Sequence, residues 1–170
     1  MIFSVPSGWA RRRARLLFHV VVLLLVFLAV RAWTQRDLVT GPAPPVEGRL
    51  LDGRDYRLAR DPRRPLVLYF WASWCSICRL EQDTIHALAR EYPVITVAMH
   101  SGTDDEVRTF LREQGLEFPV LNDPDGELAG RFGVTAVPVS FVIDRGNRIV
   151  FRETGYTTGA GLRLRLWLAR

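Results

Sequence analysis

Two cysteines three residues apart, in Cys75-Ser76-Ile77-Cys78, are the only cysteines in this 170-residue chain. Thiols at i and i+3 across the first turn of a helix can close a small disulfide ring without distorting the helix. In the reduced state the first sulfur faces the unsatisfied N–H groups and the positive dipole end of that helix, which stabilises its thiolate. The second lies one turn deeper, placed to attack a mixed disulfide on the first and release the partner thiol. The pattern points to dithiol–disulfide exchange, with Cys75 as nucleophile and Cys78 as resolving thiol. Other uses of the pair fare worse. Zinc needs four ligands, and beyond the pair the chain offers only His19, His86 and His100. Covalent haem needs a His after the second Cys, where Arg79 stands. A purely structural bridge over so short a loop constrains the unfolded chain little. Soft Cu(I) coordination by the two thiolates is the second reading, weakened by the lack of nearby Met or His ligands. The site is therefore expected to hold no metal and no cofactor.

The pair needs a strand before it and a helix after it. Residues 66–71 are a continuous apolar, β-branched and aromatic run, the pattern of a strand buried on both faces. The spacing predicts a helix over about 75–90 and a strand over 94–99. Thr103 is placed to cap a helix over 104–114, with acids in its first turn and Arg112 in its last. A short strand over 118–121, a short helix over 127–132 and a hairpin of 139–143 with 148–151 follow. Upstream, 49–51 and 56–58 flank Asp52-Gly53, a hairpin signal. Residues 162–168 alternate with period two, a strand pattern. The preceding order nevertheless leaves a sheet in need of a covering helix, so a helix is expected there. Residues 37–48 carry Gly41, Pro42, Pro44 and Pro45 and read as a stiff extended tether, which puts the folded domain at 49–170.

The net charge of +5 and pI near 10.0 first suggest a nucleic-acid binder. Placing the charges removes that class. All 23 cations are Arg; six lie in residues 1–36, which hold no acid, and 17 face 18 acids in the remainder. The basic character belongs to the leader, and the body is near neutral. In residues 16–30, thirteen of fifteen are Leu, Val or Phe. As a helix that run reaches about 22 Å, short of a hydrocarbon core of about 30 Å, with Arg15, Arg31, Ala32 and Trp33 able to extend it into the interface. An uncleaved anchor fits better than a cleaved export signal, and both layouts agree with the composition. The excess of Arg before the run keeps the N-terminus cytoplasmic and exports everything beyond residue 36. The cysteines then work in a disulfide-permissive compartment. The expected placement is a single-pass protein of the cytoplasmic (inner) membrane with its C-terminal domain in the periplasm.

The stretch Phe70-Trp71-Ala72-Ser73-Trp74-Cys75-Ser76-Ile77-Cys78-Arg79-Leu80-Glu81 resembles the active-site segment of membrane-anchored, TlpA-like (ResA-like, CcmG-like) thioredoxins. Val137-Pro138 before a strand resembles their cis-proline loop, and residues 144–147 their following hairpin. The resemblance runs from about residue 49 to the C-terminus, and within the family residues 97–102 and the Arg-anchored leader look most like ScsD-type suppressors of copper sensitivity. It implies an α/β thioredoxin-like three-layer sandwich with an N-terminal β-hairpin extension behind a membrane segment. It further implies a thiol:disulfide oxidoreductase acting on exported protein disulfides and recharged by a membrane electron donor of the DsbD/CcdA/ScsB type. By the same resemblance Glu81 manages the proton of the resolving thiol, and Trp74, Val137 and Pro138 meet the substrate. Taken from the residues alone, Glu81 is equally a solvated helix acid, Trp74 ordinary core, Pro138 a trans residue opening an edge strand, and His100 a surface histidine at the end of its strand. His86 falls on what reads as a polar helix face. Three departures stand out. Ser-Ile separates the cysteines, Tyr69 occupies the position of the buried acid of cytosolic thioredoxins, and Val139 follows the proline where cytochrome-maturation members carry an acid. The direction of exchange is open: a reductase is favoured, with a thiol oxidase or a copper-handling module as alternatives. Peroxidase chemistry would need a Pro…Thr…Cys pattern ahead of Cys75, which is missing.

Overall fold

The computed structural model describes residues 8–63 and 65–170, which divide into a leader ending at Arg36 and a folded unit, Asp37–Arg170. The leader is one helix, α1 (Gly8–Gln35), whose apolar side chains from Leu16 to Val30 are exposed. Its segment Arg12–Gln35 spans 24 residues and contains an 18-residue stretch with a mean hydropathy of 2.5. At 1.5 Å per residue that is about 36 Å, enough to cross a bilayer core. The flanking residues supply the length that the apolar run itself lacks, and the Arg36 guanidinium lies 3.8 Å from the Trp33 ring centroid.

The folded unit opens with β1 (Gly41–Pro42) and a two-stranded hairpin, β2 (Glu47–Arg49) and β3 (Asp55–Arg57). There follow β4 (Leu66–Trp71), α2 (Ser76–Glu91), β5 (Val94–Met99), α3 (Asp104–Gln114) and β6 (Val120–Asp123). The chain ends with α4 (Glu127–Arg131), β7 (Val139–Ile143), β8 (Arg148–Thr154) and α5 (Gly159–Leu168). The main sheet runs β1-β8-β7-β4-β5-β6, parallel through β4, β5 and β6 and antiparallel through β7, β8 and β1. Strand β4 is central and buried at all six positions. Its side chains alternate: Leu66, Leu68 and Phe70 enter one core with Phe132 and Phe141, and Val67, Tyr69 and Trp71 enter the other with Ile85, Leu88, Leu162 and Leu166. That two-sided demand is why the sequence there is a continuous apolar run. One core is covered by α2, α3 and α5, the other by α4 and the N-terminal segment, which makes the three-layer thioredoxin-like sandwich.

Local chemistry sets the helix that follows β5. The Thr103 hydroxyl accepts the Glu106 N–H while the Glu106 carboxylate accepts the Thr103 N–H at 2.7 Å, a reciprocal cap. Gly115 closes α3 in the left-handed region at φ 64.

Three expectations need correction. Residues 37–48 are no free tether. Leu38, Ala43 and Val46 are buried, β1 pairs with β8, the Val39 N–H donates to the Phe132 carbonyl, and Arg152 donates to the Leu38 carbonyl at 2.7 Å. The proline-rich stretch is extended as its composition demands, and it spends that extension on an edge strand and a core contact. His86 is not on a polar face: its ring meets Phe118 edge-on at 6.4 Å, with Nε2 buried. Strand β6 begins at Val120 rather than 118, because Phe118 turns into the core and the Pro119 carbonyl receives the Thr96 N–H at the entry to the ladder. Helix α5 is helical despite its period-two pattern, with Leu162 and Leu166 inward and Leu164 and Leu168 outward.

Candidate active site

Helix α2 begins immediately after Cys75, which is its N-cap: the backbone there is extended (φ −81, ψ 110), and Sγ accepts the Cys78 N–H at 3.1 Å. A sulfur at this point faces the dipole end of a 16-residue helix. Cys75 and Cys78 form a disulfide with Cα atoms 5.2 Å apart, and both residues are buried. The loop entering the helix is pinned from the β5 end. The Ser73 N–H donates to Ser101 Oγ at 3.0 Å, that hydroxyl donates to the Met99 carbonyl, and Trp74 Nε1–H donates to the His100 carbonyl at 2.9 Å. His100 itself sits at φ 47, with its ring over Gly126 and Nδ1 3.0 Å from the Pro124 carbonyl, so it shapes this corner of the fold.

On the other side of the disulfide the Val137–Pro138 peptide is cis, and the Val137 carbonyl oxygen lies 3.7 Å from Cys75 Sγ. The structure thus brings Cys75, Cys78, Val137 and Pro138 together, with Cys75 and Val137 62 residues apart in sequence. Trp74 is not core: it is 60% exposed, and with exposed Ile77 and Leu80 it gives the first turn of α2 an apolar rim. A groove of about 610 Å³ opens beside it, lined by Trp74, Arg79, Phe110 and Glu113 among others. Arg79 donates to the Ser73 carbonyl at 3.0 Å rather than serving either sulfur.

Glu81 lies one turn beyond Cys78 and is fully buried, so it is not a solvated helix acid. Its carboxylate accepts the Tyr69 hydroxyl at 3.2 Å on one oxygen and the Thr157 backbone N–H at 3.0 Å on the other. Burial pushes its pKa up to about 7, with those two donors pulling the other way. The same burial, with the neighbouring carboxylate, raises the Tyr69 phenol above its ordinary value. The sequence marks Tyr69 only as a departure, at the position where the resemblance would put the buried acid of cytosolic thioredoxins. Nothing local marks Thr157 or Ser101, whose parts depend on loops meeting in space. Among the described residues no three His, Cys, Asp or Glu side chains converge as a metal site.

A thioredoxin fold carrying a CxxC disulfide at the mouth of its active-site helix defines a thiol–disulfide oxidoreductase. Residues 39–152 match the AhpC/TSA family model, and the chain belongs to that family. It is 31% identical over 160 residues to a thioredoxin-like protein of Haemophilus influenzae, covering 91% of this chain and 95% of that one. It is 30% identical over 159 residues to the thiol-disulfide oxidoreductase ResA of Bacillus thuringiensis, covering 86% and 92%. A crystal structure from Chlorobium tepidum, assigned as the thiol:disulfide interchange protein DsbE, superposes with a TM-score of 0.66 at 26% identity, covering 77% of this chain and 96% of that one. The chain is thus an oxidoreductase of the ResA/DsbE type.

Proposed function

We propose that the protein is a membrane-tethered reductase of exported protein disulfides, with the folded unit in the periplasm and α1 retained as a single-pass anchor in the cytoplasmic membrane. The observation that carries this reading is the N-cap position of Cys75, whose sulfur meets the Cys78 N–H on one side and the carbonyl of half-buried Val137 on the other. The Cys75 thiolate attacks a substrate disulfide; that S–S bond breaks, a mixed disulfide forms on Cys75, and the first substrate sulfur leaves and takes a proton from solvent. The Cys78 thiol passes its proton to the Glu81 carboxylate, and the resulting thiolate attacks Cys75 Sγ. The Cys75–Cys78 bond forms, the Cys75–substrate bond breaks, and the second substrate sulfur leaves as a thiolate that takes up a proton from solvent while Glu81 returns its own to solvent. The substrate gains two electrons, and the oxidised pair is recharged by a dithiol donor in the membrane.

The edge of Val137 suits an extended substrate segment, held by backbone hydrogen bonds as an added strand. Trp74 and Pro138 bound the same surface. The reducing direction is supported by the modest means of stabilising a Cys75 thiolate here: a helix dipole and one N–H, with Arg79 engaged elsewhere. Strong oxidants owe their potential to a heavily stabilised reduced form. Of the finer family assignments, the ScsD type is the one we favour, on residues 97–102 and the Arg-rich leader. Trapping tests the mechanism: Cys78→Ala should accumulate mixed disulfides through Cys75 with exported proteins. A trap strain without such adducts rejects the assignment of Cys75 and Cys78.

A further inference from the structure

The loop between β8 and α5 touches both halves of the site. The Gly155 N–H donates to the Pro138 carbonyl at 2.9 Å. Two residues on, the buried Thr157 N–H donates to Glu81 Oε1 at 3.0 Å. Thr158 then caps α5, its hydroxyl accepting the Gly161 N–H, so the far end of the loop is fixed. Val137 makes no backbone hydrogen bond among the described residues; its carbonyl lies 3.7 Å from Cys75 Sγ, and its N–H is left to an incoming chain.

We propose that residues 155–158 couple occupation of the Val137–Pro138 edge to the protonation of Glu81, with Thr157 and Tyr69 as positioning residues for that carboxylate. This deepens the function proposed above and rests on its assignment of Glu81. The path is short. A substrate strand that pairs with Val137 bears on the Pro138 carbonyl, hence on Gly155, and through two peptide units on the N–H that Glu81 accepts. Lengthening the Thr157 bond withdraws a donor from the ionised carboxylate, favours its protonated form and makes it a better proton acceptor for Cys78. The resolving thiol is then activated when a substrate occupies the edge.

The surroundings keep this signal clean. From β4 the Tyr69 hydroxyl reaches Glu81; on its own helix Cys78 stands three residues before it, on the same side. On α5, Arg163 is paired with Glu91 and Arg165 with Glu153, and His86 on α2 packs against Phe118. Arg163, Arg165 and His86 do not shift Glu81, whose perturbation comes from burial and from its two donors, Thr157 and Tyr69.

The test is an NMR pH titration of the oxidised full-length chain in detergent micelles, following the backbone amide of Thr157. Its N–H should titrate with a midpoint near that of Glu81, and the transition should vanish in Glu81→Gln. Tyr69→Phe, which removes the other donor, should move the midpoint up by about one pH unit. In a Cys78→Ala chain carrying a cysteine peptide as a mixed disulfide on Cys75, the midpoint should move upward relative to the same chain without peptide. A Thr157 amide that does not titrate, or a midpoint indifferent to the peptide, overturns the coupling. Iodoacetamide alkylation of the reduced protein separates this from the underlying reading. If the amide behaves as expected while Glu81→Gln leaves the pH profile of cysteine alkylation unchanged, the coupling stands and the role of Glu81 as proton acceptor for Cys78 falls.

Discussion

Replacing Glu81 by Gln removes a carboxylate that the fold buries completely beside its cysteine pair. In the native state that carboxyl is raised from an ordinary 4.5 to about 7. Between those values the native protein binds more protons at this site than the unfolded chain, so stability falls as pH rises through the window. The contribution is fully present below about 4.5 and is lost once pH passes 7. At 1.36 kcal/mol per unit the difference amounts to about 3 kcal/mol, with no allowance for solvent screening because the side chain has no exposed surface. Gln keeps an oxygen for the Thr157 N–H and an amide for the Tyr69 oxygen, so the variant should fold and should not titrate here. The assay is urea unfolding of the oxidised full-length chain in detergent micelles, followed by tryptophan fluorescence, for both proteins from pH 4.5 to 8.5. The wild type should lose about 3 kcal/mol relative to Glu81→Gln over that range, with the slopes of the two unfolding curves unchanged. Titrations elsewhere cancel in the difference. A difference that stays flat to within about 0.5 kcal/mol, or grows in favour of the wild type as pH rises, refutes the placement of a buried, desolvated acid at this position.

Other consequences are as direct. Gly133 adopts φ +69, and a Cβ there would collide with the Asp37 carbonyl, so Gly133→Ala should cost about 2–3 kcal/mol and expose residues 37–46 to proteolysis, whereas Gly130→Ala, with open space and helical backbone, should be neutral or slightly stabilising. Thr96 Oγ1 accepts the Trp71 indole N–H at 3.1 Å and donates to the Pro119 carbonyl at 3.0 Å, so Thr96→Val should lose about 1–3 kcal/mol in denaturant melts despite conserving volume. Equilibration of Cys75–Cys78 against glutathione should give a potential in the region of about −270 mV; a value near −120 mV would reverse the proposed direction of exchange.

The parts of the fold that could be read in advance are those whose signal is local. The apolar run at β4, the Thr103 cap and the Asp52-Gly53 turn each declare their conformation within a few residues. The hairpin strands nevertheless sit earlier than expected, Glu47–Arg49 by two residues and Asp55–Arg57 by one, because Leu50 leaves the ladder to bridge to Leu121 and enter the core. The stretch 37–48 shows the limit more sharply. Proline content specifies extension, but not whether an extended chain lies in solvent or against a sheet edge. That depended on Leu38, Ala43 and Val46 finding the core around Phe132.

Sequence alone determined the chemistry of this protein: two thiols at helical spacing behind a buried strand, and a charge asymmetry confined to an apolar leader. Both are short-range properties, set by the rise of a helix and by the order of residues along the chain. Tertiary structure alone decided the environment that tunes that chemistry. A phenol on β4 and a backbone amide after β8 lie 12 and 76 residues from a glutamate on α2, and only the closing of the sheet places them on its carboxylate. Burial and donor count set how readily an acid holds its proton, and both are properties of packing, which no single stretch of chain contains.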